Sequence, residues 1–435
     1  MSTPVTILCG ELGAGKTTLL SSLLESTDRE LAVLVNDVGA INVDADLVEA
    51  RTELETGEEV LALENGCICC GIGGEFSRSV VRLQRERAFD HLVIEASGVS
   101  EPEPIARQFV RGPAAGSYDL EAVVTVVDAR RFFDRFAASD ADAGDGELDL
   151  PTPSGPDDDG TRPLEDLVLE QVEFCDLLVV NKCDLVSEAE REHVVALLET
   201  LQPRAEIVTT EYGSLDPPNL LGVQRFDLES ATEAAGWKRA LEGDDEEGGH
   251  DHDHDHDDRH DHEGDHSDDR GHDGHDHAHP PDQYGITVDS YHRRRPFHPE
   301  RLTALLESLP TELVRAKGLC WIAGRERQAI TMSHAGDQTT LEVTGRWIAS
   351  LSEDRQETYR RGQPDLEWDE KWGDRETRLA LIGRDLDRDA LLERLDDCLL
   401  TDDEMDDDWS TFENGAPTST GEPIVLSSGE PSDGN

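Results

Sequence analysis

The run Cys9-Gly10-Glu11-Leu12-Gly13-Ala14-Gly15-Lys16-Thr17-Thr18 constrains this chain more than any other stretch. It follows the apolar segment Val5 to Leu8 and satisfies Gly-x4-Gly-Lys-Thr without a gap. Glycines let backbone N–H groups curl around phosphate oxygens, Lys16 supplies a point charge, and the Thr17 hydroxyl can ligate magnesium. Leu19, Leu20, Leu23 and Leu24 continue at helical spacing, which places the phosphates at a helix N-terminus, where unpaired N–H groups and the dipole favour anions. Gly10, Gly13, Ala14, Gly15, Lys16, Thr17 and Thr18 are therefore the expected phosphate-side residues.

Further strands are expected at Leu31–Val35, Leu92–Ile94, Ala122–Val127, Leu177–Val180 and Ala205–Val208, with amphipathic helices between them. Buried strands alternating with helices predict an α/β domain with a mostly parallel sheet covered on both faces. In such sheets ligands gather at the strands' C-terminal edge. That edge receives Asn36-Asp37-Val38-Gly39, Glu95-Ala96-Ser97-Gly98, Asp128 and Asn181-Lys182-Cys183-Asp184. An Asp carboxylate can accept from both the ring N–H and the exocyclic amine of guanine, and adenine offers no such pair of donors. Asn181, Lys182 and Asp184 after a P-loop thus point to GTP rather than ATP. Phosphoryl transfer needs magnesium and a placed water more than covalent chemistry. Thr17 is the first magnesium ligand expected, Lys16 and Glu95 are the catalytic candidates, and Glu95 can act on magnesium's water shell or on the attacking water. Asp128 is a weaker candidate for the same place.

Three thiols in four positions, Cys67, Cys69 and Cys70, are close enough to share one ion, and thiolates select zinc, copper(I) or a similar thiophilic cation over magnesium. A carboxylate such as Asp37 or Glu64, a water or a histidine of the 244–279 linker would complete a tetrahedron. Residues 244–279 alternate Asp and His, with His252, His254 and His256 at the densest point, and read as a low-complexity candidate for weak metal binding.

The chain of 435 residues carries a formal charge of −58, from 97 acidic against 39 basic residues, of which 5 are lysine and 34 arginine. This disfavours binding to nucleic-acid backbones. Residues 244–279 hold 16 acidic residues and two arginines, so the remainder still carries −44 and the acidity is spread over the surface. Such a load repels itself in dilute buffer and is screened at molar salt, where the Debye length falls to about 3 Å. A halophile's cytoplasm is the expected setting. Met1 to Pro4 leads straight into the first strand with no signal peptide, and no apolar run reaches the roughly 18 residues that a membrane span requires.

The expected organisation is a nucleotide domain over residues 1–226, with a disordered acidic insertion at about 139–163. An acidic His-rich linker follows at 227–282, then a smaller α+β domain at 283–404 with an antiparallel sheet and helices on one face, and a disordered acidic tail at 405–435.

Taken together, Gly10 to Thr18, Val35-Asn36-Asp37-Val38-Gly39, Glu64-Asn65-Gly66-Cys67-Ile68-Cys69-Cys70, Ile94 to Gly98 with Pro102, and Asn181 to Asp184 resemble the CobW-like P-loop GTPases, which include zinc metallochaperones and cobalt-handling proteins. Trp372-Gly373-Asp374-Arg375 and Leu381-Ile382-Gly383-Arg384 extend the resemblance to the C-terminal domain. It implies slow GTP hydrolysis coupled to loading or releasing a transition metal, zinc or cobalt, for a client protein, with Glu95 on the magnesium side. The chain has Asp37 where the family usually has Glu, and Ala40 where a second Glu is common, so position 40 supplies no ligand. A metal store built on the His tract and a cobalt accessory for corrinoid synthesis are the alternatives. Neither the client nor an oligomeric state can be read from these residues.

Overall fold

The structure is a computed structural model. It describes residues 2–35, 60–62, 75–138, 163–228, 231, 235–238, 241, 284–363 and 366–427. Its strands form two sheets. The first contains β1 (Thr3–Cys9), β2 (Leu31–Val35), β3 (Val60–Ala62), β4 (His91–Glu95), β5 (Tyr118–Asp128), β6 (Leu177–Asn181) and β7 (Glu206–Thr209). The order is β3-β2-β4-β1-β5-β6-β7 and every neighbouring pair is parallel.

Alternation along the strands explains why both faces are covered. Val5, Ile7 and Cys9 enter one core and Leu8 the other; Leu92 and Ile94 oppose Val93, and Leu178 and Val180 oppose Leu177 and Val179. α1 (Lys16–Ser26) lays Leu19, Leu20, Leu23 and Leu24 on the second face. α2 (Glu75–Glu86), α3 (Pro102–Val110), α4 (Ala129–Phe132), α5 (Leu164–Glu173) and α6 (Glu188–Leu201) complete the layers. The expected capping box forms at the start of α6: Glu190 N donates to Ser187 Oγ and Ser187 N donates to Glu190 Oε2.

The second sheet is antiparallel, in the order β13-β11-β10-β9-β12-β8. It comprises β8 (Ile286–Arg293), β9 (Leu313–Cys320), β10 (Gln328–Ala335), β11 (Gln338–Arg346), β12 (Thr377–Arg384) and β13 (Ile424–Ser427). Its helices are α7 (Pro299–Leu306), α8 (Glu353–Gly362) and α9 (Arg388–Asp397). Leu302, Leu305 and Leu306 of α7 and Leu391 and Leu395 of α9 cover one face. The other face meets the first domain, where Val314, Ala335 and Ile382 join one core with Leu169 and Val172 of α5. No helix among the described residues is long and apolar enough to cross a membrane.

Two expectations need correction. Residues beyond Met405 are not a disordered tail as far as Ser427: Trp409 is buried against Trp372, its indole N–H donates to Glu404 O at 2.8 Å, and β13 pairs with β11. A few apolar anchors outweigh an acidic composition there. The stretch after Asp227 also begins as structure, because Leu228 and Ala231 are buried in the first core and Ala235 is buried as well. Most of the expected insertion and linker, with His252, His254 and His256, lies outside the described residues. Asp37, Cys67, Cys69 and Cys70 lie outside them too.

Candidate functional site

The loop from Gly10 to Gly15 joins β1 to α1 and needs its glycines. Gly10, Gly13 and Gly15 have φ of 137°, 81° and 105°. A Cβ on Gly10 would meet Val126 O at 2.3 Å, and one on Gly15 would meet Asn181 Nδ2 at 2.3 Å. No side chain caps the N-terminus of α1 and its first turn carries no acidic residue, although this chain puts acids into the first turn of α3, α5, α6, α7, α8 and α9. The dipole and N–H groups of α1 are thus left for an anion. Lys16 is buried, with Nζ donating to Gly10 O at 2.8 Å and Glu11 O at 3.2 Å.

Parallel pairing brings the other strand ends to this loop. Leu8 and Glu95 are register partners, as are Val35 and Glu95, so Glu95 ends its strand between the P-loop strand and β2. Thr17 Oγ1 donates to Glu95 Oε1 at 2.9 Å. This part-buried pair of hard oxygen donors fits a magnesium ion better than a thiophilic metal. The loop after Glu95 packs on the P-loop, since a Cβ on Gly98 would approach Leu12 N to 2.5 Å.

Asp128 does not belong to the magnesium side. Its Oδ1 accepts from Arg130 N and Arg131 N, capping α4, and its Oδ2 accepts from Lys182 Nζ at 2.7 Å. Arg131 Nη1 donates to Leu12 O at 2.8 Å, so this corner ties Lys182 to the P-loop. Asn181 makes a second tie, with Nδ2 donating to Ala14 O and Oδ1 accepting from Gly213 N, both at 2.9 Å. Asp184 stands exposed beyond them. Thr18 is exposed beside the P-loop.

Sequence reading missed several of these partners. Glu11 is buried within the P-loop, where burial pushes its carboxyl up against the pull of Arg135, which donates to it at 2.8 Å. Gln171 of α5 donates to Ser100 O at 2.9 Å, just past the Glu95 loop. Nothing local in the sequence joins residues so far apart. The strand-end position of Asp128 was the one usable signal. Among the described residues one cluster of three His, Cys, Asp or Glu side chains is close enough to share a metal ion, His292 with Glu367 and Glu376. Arg294 donates to Glu367 and lies 3.8 Å from Glu376, so a guanidinium already neutralises it.

A P-loop on a parallel sheet, with Asn-Lys-x-Asp tied to it from the neighbouring strand ends, defines a P-loop GTPase. Residues 4–209 match the CobW/HypB/UreG nucleotide-binding domain, and residues 286–399 match the cobalamin synthesis protein cobW C-terminal domain. The chain is 31% identical over 439 residues to zinc-regulated GTPase metalloprotein activator 1 of Dictyostelium discoideum, covering 94% of this chain and 83% of that protein. It is 34% identical over 227 residues to the zinc chaperone CobW of Pseudomonas aeruginosa, covering 51% of this chain and 60% of that one. The chain belongs to the CobW/HypB/UreG family of GTPases.

Proposed function

We propose that the chain hydrolyses GTP slowly and uses the cycle to take up zinc through Cys67, Cys69 and Cys70 and pass it to a client protein. The observation that carries this reading is the register of β2 and β4. Val35 ends β2 beside Glu95, and Asp37 follows two residues later in the sequence. In this reading a γ-phosphate sensed by Glu95 is coupled to that zinc ligand.

In this reading Gly10, Gly13, Ala14, Gly15 and Thr18 hold the phosphates, and Lys16 moves from Gly10 O and Glu11 O onto them. Thr17 and Glu95 hold magnesium, which when bound neutralises charge on the phosphate oxygens. Glu95 also orients the attacking water. Asn181 and Lys182 shape the base pocket and Asp184 reads guanine. Zinc is the cargo favoured over cobalt, on the strength of the relatives' names. The His tract supplies only weak, GTP-independent sites. We place this work in a salt-rich cytoplasm, in keeping with the net charge of −58.

Zinc-competition titration tests it. One tight zinc ion is expected per chain, bound roughly 5- to 150-fold more tightly with magnesium–GTP than with GDP, and lost when all three cysteines are changed to serine. Deleting residues 244–279 should leave that ion in place; loss of nearly all zinc capacity on deletion would favour a metal store instead.

A further inference from the structure

Tyr212 is an aromatic side chain that the core does not use. It is 73% exposed, the highest value among the large hydrophobic residues described. Its backbone is left-handed, with φ of 56°, a conformation that L residues adopt at a cost and that clusters at ligand sites. The fold holds it there. Thr210 N donates to Val180 O at 2.8 Å, Cys183 N donates to Thr210 O at 3.2 Å, and Gly213 N donates to Asn181 Oδ1 at 2.9 Å. The Tyr212 loop is thus fastened on both sides to the Asn181–Asp184 segment. The phenol lies close to Asp184, whose charge pushes its pKa up.

We propose that Tyr212 is a wall of the base site: its ring stacks on the purine that Asp184 reads, and its hydroxyl gives up the Asp184 carboxylate when the base arrives. The chemistry follows from what is placed together. A guanine held edge-on by Asp184 presents its face beside the segment, and every nucleobase has a π-face on which an aromatic ring can stack without reading its edge. The fixed left-handed backbone presents the ring to solvent past the carboxyl end of a strand, the edge on which open α/β sheets bind ligands. Tyr212 then contributes affinity for any purine nucleotide, and Asp184 contributes the choice of guanine. The inference rests on Asp184 reading guanine.

Calorimetric titration of the full chain in molar potassium chloride tests it, with GDP and xanthosine diphosphate as probes. Tyr212→Ala is expected to weaken both diphosphates by the same factor, roughly 5- to 150-fold. Tyr212→Gly suits the left-handed backbone and removes the ring, so it should lose as much as the alanine variant. Tyr212→Phe should keep at least wild-type affinity, because the ring remains and no hydroxyl competes for Asp184. Wild-type GDP affinity in the alanine or glycine variant would overturn the proposal, as would an alanine-sized loss in the phenylalanine variant. Asp184→Asn is the separate control. If it leaves the preference for GDP over xanthosine diphosphate unchanged, the guanine reading fails, whatever the Tyr212 variants do.

Discussion

Buried charge occurs in two regions of this molecule and is arranged in opposite ways. At the seam between the sheets Arg315 has no exposed surface, and its guanidinium is satisfied on all sides. Nε and Nη2 donate to Glu173 at 2.7 and 2.9 Å, and Nη1 donates to Asp166 at 2.6 Å and to Ser333 Oγ at 3.1 Å. Ser333 Oγ in turn donates to Asp166 at 2.6 Å. At the nucleotide edge Lys16, Glu95, Asp128 and Asn181 are equally buried. There they line the foot of a loop whose Leu12 and Gly13 face solvent, as does Thr18 in the first turn of α1. The seam closes its charges on one another, whereas the edge collects them beneath an exposed loop. Burial alone does not mark function; the direction in which the buried groups are satisfied does.

The largest expected effect breaks the edge and spares the seam. Lys16→Ala removes the charge at the phosphates and should cut GTP hydrolysis by roughly a thousandfold, read as phosphate release. Its melting temperature should stay within a few degrees of wild type. Breaking the seam does the reverse. Arg315→Ala leaves Asp166 and Glu173 buried and unneutralised, and should cost about 3–5 kcal/mol in denaturant unfolding. GTP affinity of the molecules that remain folded should not change. Replacing Arg315, Asp166 and Glu173 together by apolar residues of similar size should recover most of that loss.

Acid titration separates the regions further. Burial lowers the pKa of His334, beside the seam, to about 4, and does the same to His91 in the parallel sheet. Both are neutral in the fold, and the unfolded chain takes up their protons first. Their contribution is complete above the ordinary histidine value and is lost as pH falls from about 6.5 toward 4, at roughly 1.4 kcal/mol per pH unit for each. His334→Gln should remove about half of that slope. At Asp166 burial raises the carboxyl pKa, but Arg315, Lys317 and Ser333 together outweigh it and the value falls to about 2. The seam pair is therefore lost only in stronger acid, as pH drops from about 4 to 2. The smallest effect is expected at Asp128→Asn. It loosens Lys182 without touching phosphate or magnesium oxygens, and should weaken GTP by about tenfold while the hydrolysis rate of the bound nucleotide stays near wild type.

The two regions also differ in how far the sequence discloses them. The P-loop is contiguous, its glycine spacing states the backbone it needs, and the alternation of Val5, Ile7 and Leu8 states that both sheet faces are covered. Glu95 at a strand end is readable for the same reason, because a buried strand finishing in a carboxylate points at the ligand edge. The seam is not readable. Arg315 lies 142 residues from Glu173 along the chain, and an arginine in a strand looks the same whether it meets solvent or two carboxylates. Asn181 shows a third case: its place at a strand end was legible from its motif, yet its amide bolts Ala14 to Gly213, which only the folded chain discloses. Composition misled at Trp409, where the acidic surroundings hid an aromatic anchor.

The central claim is that the GTP edge and the zinc thiolates are one thermodynamic system, and reciprocity allows it to be tested from the nucleotide side. Affinity for magnesium–GTP should be measured with and without one equivalent of zinc, on the full chain and on the Cys67→Ser, Cys69→Ser, Cys70→Ser variant. The expected result is tighter GTP binding with zinc, by the factor with which GTP tightens zinc, and no zinc effect in the triple variant. Equal GTP affinity with and without zinc in the wild-type chain would contradict the claim.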